Sequence, residues 1–499
     1  MTALAARRTV PQSARARRIR PALFLGVLGT VVGFLGSWNP SYWGDEAASV
    51  MSAGRSWSSL AAELSTIDGV HGVYYAFLHV WIATFGTSEL ATRLPSAIAA
   101  GAMVAGTVVL VRRFGDARLA VLAGAIAIVL PRTTSMATEA RSYAMGAAVA
   151  VWLTVLLITV LHRRASRGWW VVYGIAMAAS VYLFLYLGLL LAVHASYLLL
   201  TRRAALGGWL RGAGIAAILA APIVVIGYQQ REQIDFLARR NYATLANVLT
   251  GQWFGSVPVA LFCWALILVA LVWLVWSVRR RTVSPVALLA LLWLTVPTAA
   301  LLVGNAMVSP MYNVRYLAFS TPAAAILIAI GITVVARVAR RSRARTYSAA
   351  VLVGVLIALC APVYLAQRTP WAKDGGSDLR QVAEYVQAKA SPGDAIVFDQ
   401  STKPSRNPRL ALHLYPSSFT GLRDIGLITP FDETNGLWDT VAPLTDTTAS
   451  LATSADVWAV ELTHGATVPA DVSFLEAHGY ELNSTTLIHR TTIYHLTKE

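Results

Sequence analysis

Two adjacent carboxylates, Asp45 and Glu46 of the stretch Trp43-Gly-Asp45-Glu46, stand just beyond the first apolar run of this 499-residue chain. A carboxylate placed there can take the proton of an acceptor hydroxyl, with partial desolvation and nearby cations setting its basicity. The plain alternative is a capping or solvated acidic pair at a helix end. Thr138-Glu139-Ala-Arg141-Ser-Tyr143 places an acid, a guanidinium and a phenol within one or two helical turns. An arginine there can grip a phosphate through two parallel hydrogen bonds, or it can simply pair with Glu139 while Tyr143 joins an interfacial aromatic belt. Met311-Tyr-Asn-Val-Arg315-Tyr316 offers a second cation flanked by aromatics, or a guanidinium snorkelling to the headgroups. Arg231, Arg239 and Arg240 suit an anionic lipid headgroup, whether of a substrate or of an ordinary phospholipid. Asp68, His71 and His79, the histidines eight residues apart, fit either a metal site or packing and hydrogen-bonding roles.

The elements that must hold these residues are membrane helices. With 56% hydrophobic and 13% charged residues, the chain carries more apolar surface than a soluble core can bury. The net charge of +16 comes from short basic clusters between apolar runs, a pattern of membrane topology and not of nucleic-acid binding. Cys263 and Cys360 both lie within apolar runs, which excludes a disulfide framework and a cysteine metal site.

Eleven apolar runs, near 21–38, 92–111, 117–134, 143–161, 169–184, 185–201, 212–228, 257–277, 284–303, 317–336 and 347–366, approach the ~20 residues that a span needs. The basic start, residues 1–20, and the clusters Arg112/Arg113, Arg163/Arg164, Arg202/Arg203, Arg279–Arg281 and Arg337–Arg345 then share one side. The positive-inside rule makes that side cytoplasmic, in a multi-pass protein of the cell (inner) membrane. Eight of the nine acids before residue 367 fall on the opposite face, with only Asp116 inside. The plain alternative is that cytoplasmic loops are short and have no room for acids. Within the first outer segment, residues 39–90, the stretch His71–Phe85 reads as a helix lying in the interface. Arg93-Leu-Pro95-Ser96 reads as the start of the next helix, with Pro95 in its first turn.

Residues 367–499 hold sixteen acids and all four lysines, and read as a separate extracytoplasmic α/β domain. A helix over 378–390, strands over 395–399 and 457–462, and a terminal helix followed by strands are expected there. No glycine-rich phosphate loop is present in it.

The order of Asp45-Glu46, Val73-Tyr-Tyr-Ala76, Phe85-Gly86, Arg93-Leu-Pro-Ser96, Glu139-Ala-Arg-Ser-Tyr143 and Arg315-Tyr316-Leu resembles the GT-C superfamily of membrane glycosyltransferases. The likeness is to the protein-mannosyltransferase and aminoarabinose-transferase-like branch, including actinobacterial mannosyltransferases, and covers the helical part, residues 21–366. The resemblance implies a GT-C-like bundle and an inverting transfer of a monosaccharide, mannose before arabinose, from a polyprenyl-phosphate donor. The acceptor would be a glycolipid, polysaccharide or protein. It implies Asp45 as catalytic base with Glu46 beside it, and Arg141 and Arg315, with Tyr143, on the leaving phosphate; Tyr316, Arg239 and Arg240 join them as candidate phosphate-binding residues on their own chemistry. Asp68, His71, Tyr74, Tyr75 and Glu139 would then serve the acceptor or orient the other groups. No metal ligands are assigned, although some relatives require a divalent metal, Mg or Mn. Val70-His71-Gly72 departs from the proline common near the Tyr-Tyr segment, on the acceptor side. A transporter or flippase of a lipid-linked sugar would share the helices and the phosphate affinity. It would place polar groups near the midplane, in repeats that this sequence lacks.

Overall fold

The computed structural model describes residues 12–162, 166–339, 341–463, 465 and 467–498; the chain up to Pro11, the Arg163/Arg164 cluster and Arg340 lie outside the described residues. Each of the eleven apolar runs is helical over most of its length, with 21–38 leaving the helix after Phe34 and 117–134 broken at Leu130. In chain order the helices are α1 (Gln12–Phe34), α2 (Gly44–Gly54), α3 (Trp57–Thr66), α4 (Gly72–Phe85), α5 (Glu89–Arg112), α6 (Ala117–Val129), α7 (Pro131–Met136) and α8 (Tyr143–His162). They continue as α9 (Arg167–Leu183), α10 (Leu189–Thr201), α11 (Leu206–Gln229), α12 (Phe236–Arg240), α13 (Val257–Arg279), α14 (Pro285–Met307), α15 (Thr321–Ala336) and α16 (Ser342–Ala366). Among the described residues seven helices, α5, α8, α11, α13, α14, α15 and α16, are long and apolar enough to cross a membrane, and α1, α6 and α10 are shorter apolar helices. The run 169–201, which has no polar turn, divides at Phe184, whose extended backbone (φ −157°, ψ 111°) separates α9 from α10.

Helix α5 packs on α1, α6 and α8. A Cβ at Gly101 would lie 2.0 Å from Thr30 Oγ1 and 2.4 Å from the Gly26 carbonyl, so α1 and α5 meet at backbone distance. The start of α5 lies upstream of the expected position. Ser88 caps it by accepting from the Ala91 amide (3.3 Å), which puts Pro95 inside the helix and not in its first turn. Proline has no N–H for the Ala91 carbonyl four residues back, and the Trp81 indole N–H occupies that carbonyl at 2.9 Å.

The segment between α1 and α5 folds as α2, α3 and α4. Tyr74, Tyr75 and Leu78 of α4 pack inward with Ala53 and Leu60, while Val73, Phe77, Val80 and Phe85 face outward. This is the amphipathic arrangement expected of a helix in the interface.

After α16 come α17 (Leu379–Lys389) and seven strands: β1 (Ala395–Phe398), β2 (Arg423–Asp424), β3 (Leu427–Thr429), β4 (Thr440–Val441), β5 (Asp456–Leu462), β6 (Tyr480–Leu487) and β7 (Thr491–Lys498). Five form a sheet of order β2-β1-β5-β7-β6, parallel across β2, β1 and β5 and antiparallel beyond; β3 and β4 pair separately. The sheet domain is fastened to one end of the bundle. Arg368 donates to the Leu35 (2.7 Å), Val32 and Gly33 (both 3.2 Å) carbonyls at the end of α1, which have no partners within the helix. Arg380 of α17 bonds Glu89 at the start of α5 (2.9 Å).

The same end of the bundle is tied together by a fully buried ion pair. Arg93 of α5 reaches Glu46 of α2 through Nε–Oε1 (2.7 Å) and Nη2–Oε2 (2.6 Å), and both side chains are 0% exposed. Its Nη1 also donates to the Ser37 (2.7 Å) and Pro40 (2.8 Å) carbonyls, and Glu46 Oε1 accepts the Ala140 amide (2.8 Å). One knot therefore joins the turn after α1, α2, α5 and the turn before α8. Removing one partner of such a buried pair costs about 3–5 kcal/mol. Glu46→Gln should lower the thermal unfolding midpoint in detergent markedly while Asp45→Asn leaves it nearly unchanged; equal midpoints for Glu46→Gln and wild type would refute the strut.

Candidate active site

Trp43 is extended (φ −136°, ψ 172°) and precedes the first turn of α2, where Asp45 points its carboxylate into a cavity of about 400 Å³. Gly44 is required at this corner, because a Cβ there would lie 1.9 Å from the Ser405 carbonyl of the sheet domain. Asp45 Oδ2 pairs with Arg315 Nη1 at 2.9 Å, and the guanidinium lies over the rings of Trp43 (4.7 Å) and Tyr143 (5.8 Å). Burial alone would raise the pKa of Asp45, but Arg315 and Arg141 outweigh it and hold the carboxyl below its ordinary value.

Arg141 is fixed by four groups: the Asp45 carbonyl (3.2 Å), Ser49 Oγ (3.1 Å), Tyr75 Oη (3.4 Å) and His71 Nε2 (3.3 Å). Accepting from a guanidinium requires a neutral His71, and burial, then Arg141, push its pKa down to about 4. Asp68 accepts the Tyr75 hydroxyl (2.7 Å) and lines the cavity beside His71. Tyr316 stacks on Tyr186 (5.0 Å between centroids, 22° between planes), next to Tyr143. Arg240 lines the cavity and donates to Tyr242 Oη (3.1 Å).

The structure separates other residues from this group. Glu46 is committed to Arg93 and is not among the lining residues, so its place beside Asp45 in sequence does not make it a neighbour in the cavity. Glu139 pairs with Lys373 (3.4 Å) and not with Arg141. Tyr74 and Tyr75 are buried behind the wall, and Arg239 is exposed outside it. His79 bonds the Ala53 carbonyl (2.9 Å) and packs on Trp57, away from His71.

The sheet domain supplies one wall of the cavity through Asp374, Lys403, Ser405, Arg406, Leu437 and Trp438. Side chains of α2 and α3 hold the loop carrying Leu437 and Trp438: Arg55 donates to the Thr434 (2.9 Å) and Gly436 carbonyls, Ser59 to Asp432 and Thr66 to Asn435. Sequence reasoning missed this wall, and nothing local in residues 403–438 marks it. Trp43 was legible as part of the acidic motif, though not as the ring under Arg315.

Six cationic groups, Arg141, Arg231, Arg240, Arg315, Lys403 and Arg406, line the cavity against three carboxylates, Asp45, Asp68 and Asp374. The balance suits an anion. Among the described residues no three His, Cys, Asp or Glu side chains cluster as metal ligands, and Asp45 is paired with a guanidinium. Next to the cavity, an apolar groove of about 370 Å³ runs between α9–α10 and α11, lined by residues such as Val181, Leu191, Ala221 and Val224; Leu185 borders both.

No protein-family model matches the sequence, and no curated protein matches it. Solved structures do. ArnT from Cupriavidus metallidurans bound to undecaprenyl phosphate superposes with a TM-score of 0.58 at 16% identity, over 95% of this chain and 97% of that one. Its apo form gives 0.54 at 15% over the same shares. The oligosaccharyltransferase of Archaeoglobus fulgidus, in a complex with Zn and sulfate, gives 0.50 at 11%, over 87% of this chain and 67% of that one. The chain is a helical membrane protein that shares the fold of these ArnT structures and ends in a small C-terminal sheet domain.

His71 carries a pH signature. Its folded pKa of about 4 lies below the ordinary 6.5, so the unfolded chain takes the proton first. The stability that neutral His71 contributes is complete above the ordinary value and is lost as pH falls toward the folded one. The unfolding midpoint should therefore drop over that acidic window, and drop less in His71→Gln; parallel curves would place His71 in a solvated setting.

Proposed function

We propose that the chain is an inverting glycosyltransferase that moves a monosaccharide, mannose in preference to arabinose, from a polyprenyl-phosphate donor to a cell-envelope acceptor on the non-cytoplasmic face. The observation that carries this reading is the ionised Asp45 set in a cation-rich cavity 2.9 Å from Arg315, beside an apolar groove. The groove suits a polyprenyl chain, and Arg315 and Arg141 suit the phosphate at its head, flanked by Tyr143 and Tyr316, with Arg240 nearby. The ArnT structure holding undecaprenyl phosphate supports the same donor class.

In this mechanism Asp45 takes the proton of the acceptor hydroxyl as its oxygen attacks the anomeric carbon. The bond from that carbon to the phosphate oxygen breaks, and the polyprenyl phosphate leaves with the electron pair and inverted sugar geometry behind it. Arg141, held by four groups, is in place before the step and, with Arg315, neutralises the leaving phosphate. Arg315 has a second role: in the free protein it pairs with Asp45 and keeps the carboxylate weakly basic, and a donor phosphate drawing Arg315 away raises the basicity of Asp45. His71 and Asp68 remain behind Arg141 as its positioning groups.

Two measurements test this reading. With radiolabelled polyprenyl-phosphate mannose and a membrane glycolipid extract, Asp45→Asn should lose at least about 10²-fold in transfer with unchanged thermal stability. Donor crossing vesicles with no glycosidic product would instead support a transporter. In the pH profile of kcat/KM, Arg315→Gln should shift the acid limb to higher pH, because the lost cation no longer favours the carboxylate; an unshifted limb would remove Asp45 from the base role.

A further inference from the structure

The sheet domain contains a second cavity of about 340 Å³, at the carboxyl ends of the parallel strands β1 and β2. Open parallel sheets bind ligands outside the carboxyl ends of their strands. Part of the lining is apolar, from Val397, Phe398, Val441, Pro443 and Leu444. The rest is polar and held by hydrogen bonds. Asn407 Nδ2 bonds the Asp399 carbonyl (2.6 Å), Gln400 Nε2 bonds the Ala442 carbonyl (2.6 Å), and Arg409 lies between Asp424 (Nη1–Oδ1 3.1 Å) and Asp439 (2.6 Å). With Asp399 and Asp424 set against Arg409, the lining has no cationic surplus for a phosphate. Apolar side chains beside fixed amides and carboxylates, within the ~300–1,000 Å³ of small-molecule sites, match a sugar ring with its C–H face and hydroxyl edge.

Its position ties it to the active-site cavity. Residues 402–407, which include a 3-10 turn at Pro404–Arg406, border both: Lys403, Ser405 and Arg406 line the Asp45 cavity, and Thr402, Pro404 and Asn407 line the crevice. A small void of about 70 Å³ shares Trp438 with the first and Pro404, Asn407 and Arg409 with the second. The groove for the lipid chain enters from the bundle side, at Leu185, which leaves the sheet-domain side for the acceptor.

We infer that this crevice is a saccharide subsite of the acceptor, holding a sugar unit other than the one glycosylated. The inference rests on the glycosyltransferase reading and adds that the acceptor is a glycan chain or carries one. Exposed Val441 lines the crevice and the small void, and its partner across the β3–β4 pair, the equally exposed Leu427, lines neither.

The full-length protein in detergent is titrated calorimetrically with short manno-, arabino- and gluco-oligosaccharides, and separately with polyprenyl phosphate. Wild type should bind at least one oligosaccharide. Val441→Trp should weaken that binding at least about tenfold, a loss of ~1.4 kcal/mol, while Leu427→Trp keeps it and both variants keep the wild-type affinity for polyprenyl phosphate. No oligosaccharide binding at millimolar concentration, equal binding by Val441→Trp, or equal weakening by Leu427→Trp would overturn the inference. Sugar transfer without this binding pattern sinks the subsite and leaves the enzyme reading standing; the binding pattern without transfer leaves a saccharide-binding crevice but overturns its role as an acceptor subsite together with the enzyme reading.

Discussion

The geometry of the site depends on the Glu46–Arg93 pair. Taking two charges out of water is expensive, and the structure offsets that cost by giving each charge a full set of partners. Arg93 donates to Glu46 and to carbonyls of the 37–41 turn, and Glu46 also accepts the Ala140 amide. The pair thus fixes where α2 begins relative to the turn that precedes α8. Asp45 projects from the first turn of that helix, and Arg141 projects from the turn itself. Two neighbours in sequence have divided the work: Glu46 holds the frame and leaves Asp45 to face the cavity.

Around that frame, the cations differ in how they are held. Arg141 has four fixed acceptors and is a rigid part of the wall. Arg315 has one carboxylate and two aromatic faces, contacts that tolerate a change of anionic partner. An aromatic cradle attracts a guanidinium without consuming its hydrogen-bond donors. The site therefore combines one immobile cation with one exchangeable cation, beside the group whose basicity the second one sets.

Most of the fold was legible because its signals are local. A run of apolar residues near the thickness of a bilayer has few alternatives to a helix, and the alternation of helix and strand after residue 367 follows the same logic. Asp45, Arg141, Tyr143, Arg315 and Tyr316 stood out because charges and phenols at the ends of apolar helices are costly without a purpose. What escaped depends on contacts across long sequence distance. Glu46 was grouped with Asp45 by adjacency, and only packing shows that Arg93 claims it. Arg239 and Arg240 are indistinguishable in sequence, yet one faces the cavity and the other does not. Pro95 read as a first-turn residue because the Ser88 cap competes with it as a start signal. Lys403, Arg406 and Trp438 look like ordinary loop residues until the sheet domain docks.

That docking bears on how the protein is made. The cavity has walls from α2, near the start of the chain, and from residues 403–438, near its end. A ribosome that has already delivered every membrane helix has therefore not yet produced the cavity. The pocket comes into being only when the final domain has emerged, folded and seated its backbone against the glycine before Asp45. A chain cut between the two parts keeps the bundle's share of the lining and lacks the wall of Lys403, Ser405, Arg406, Leu437 and Trp438.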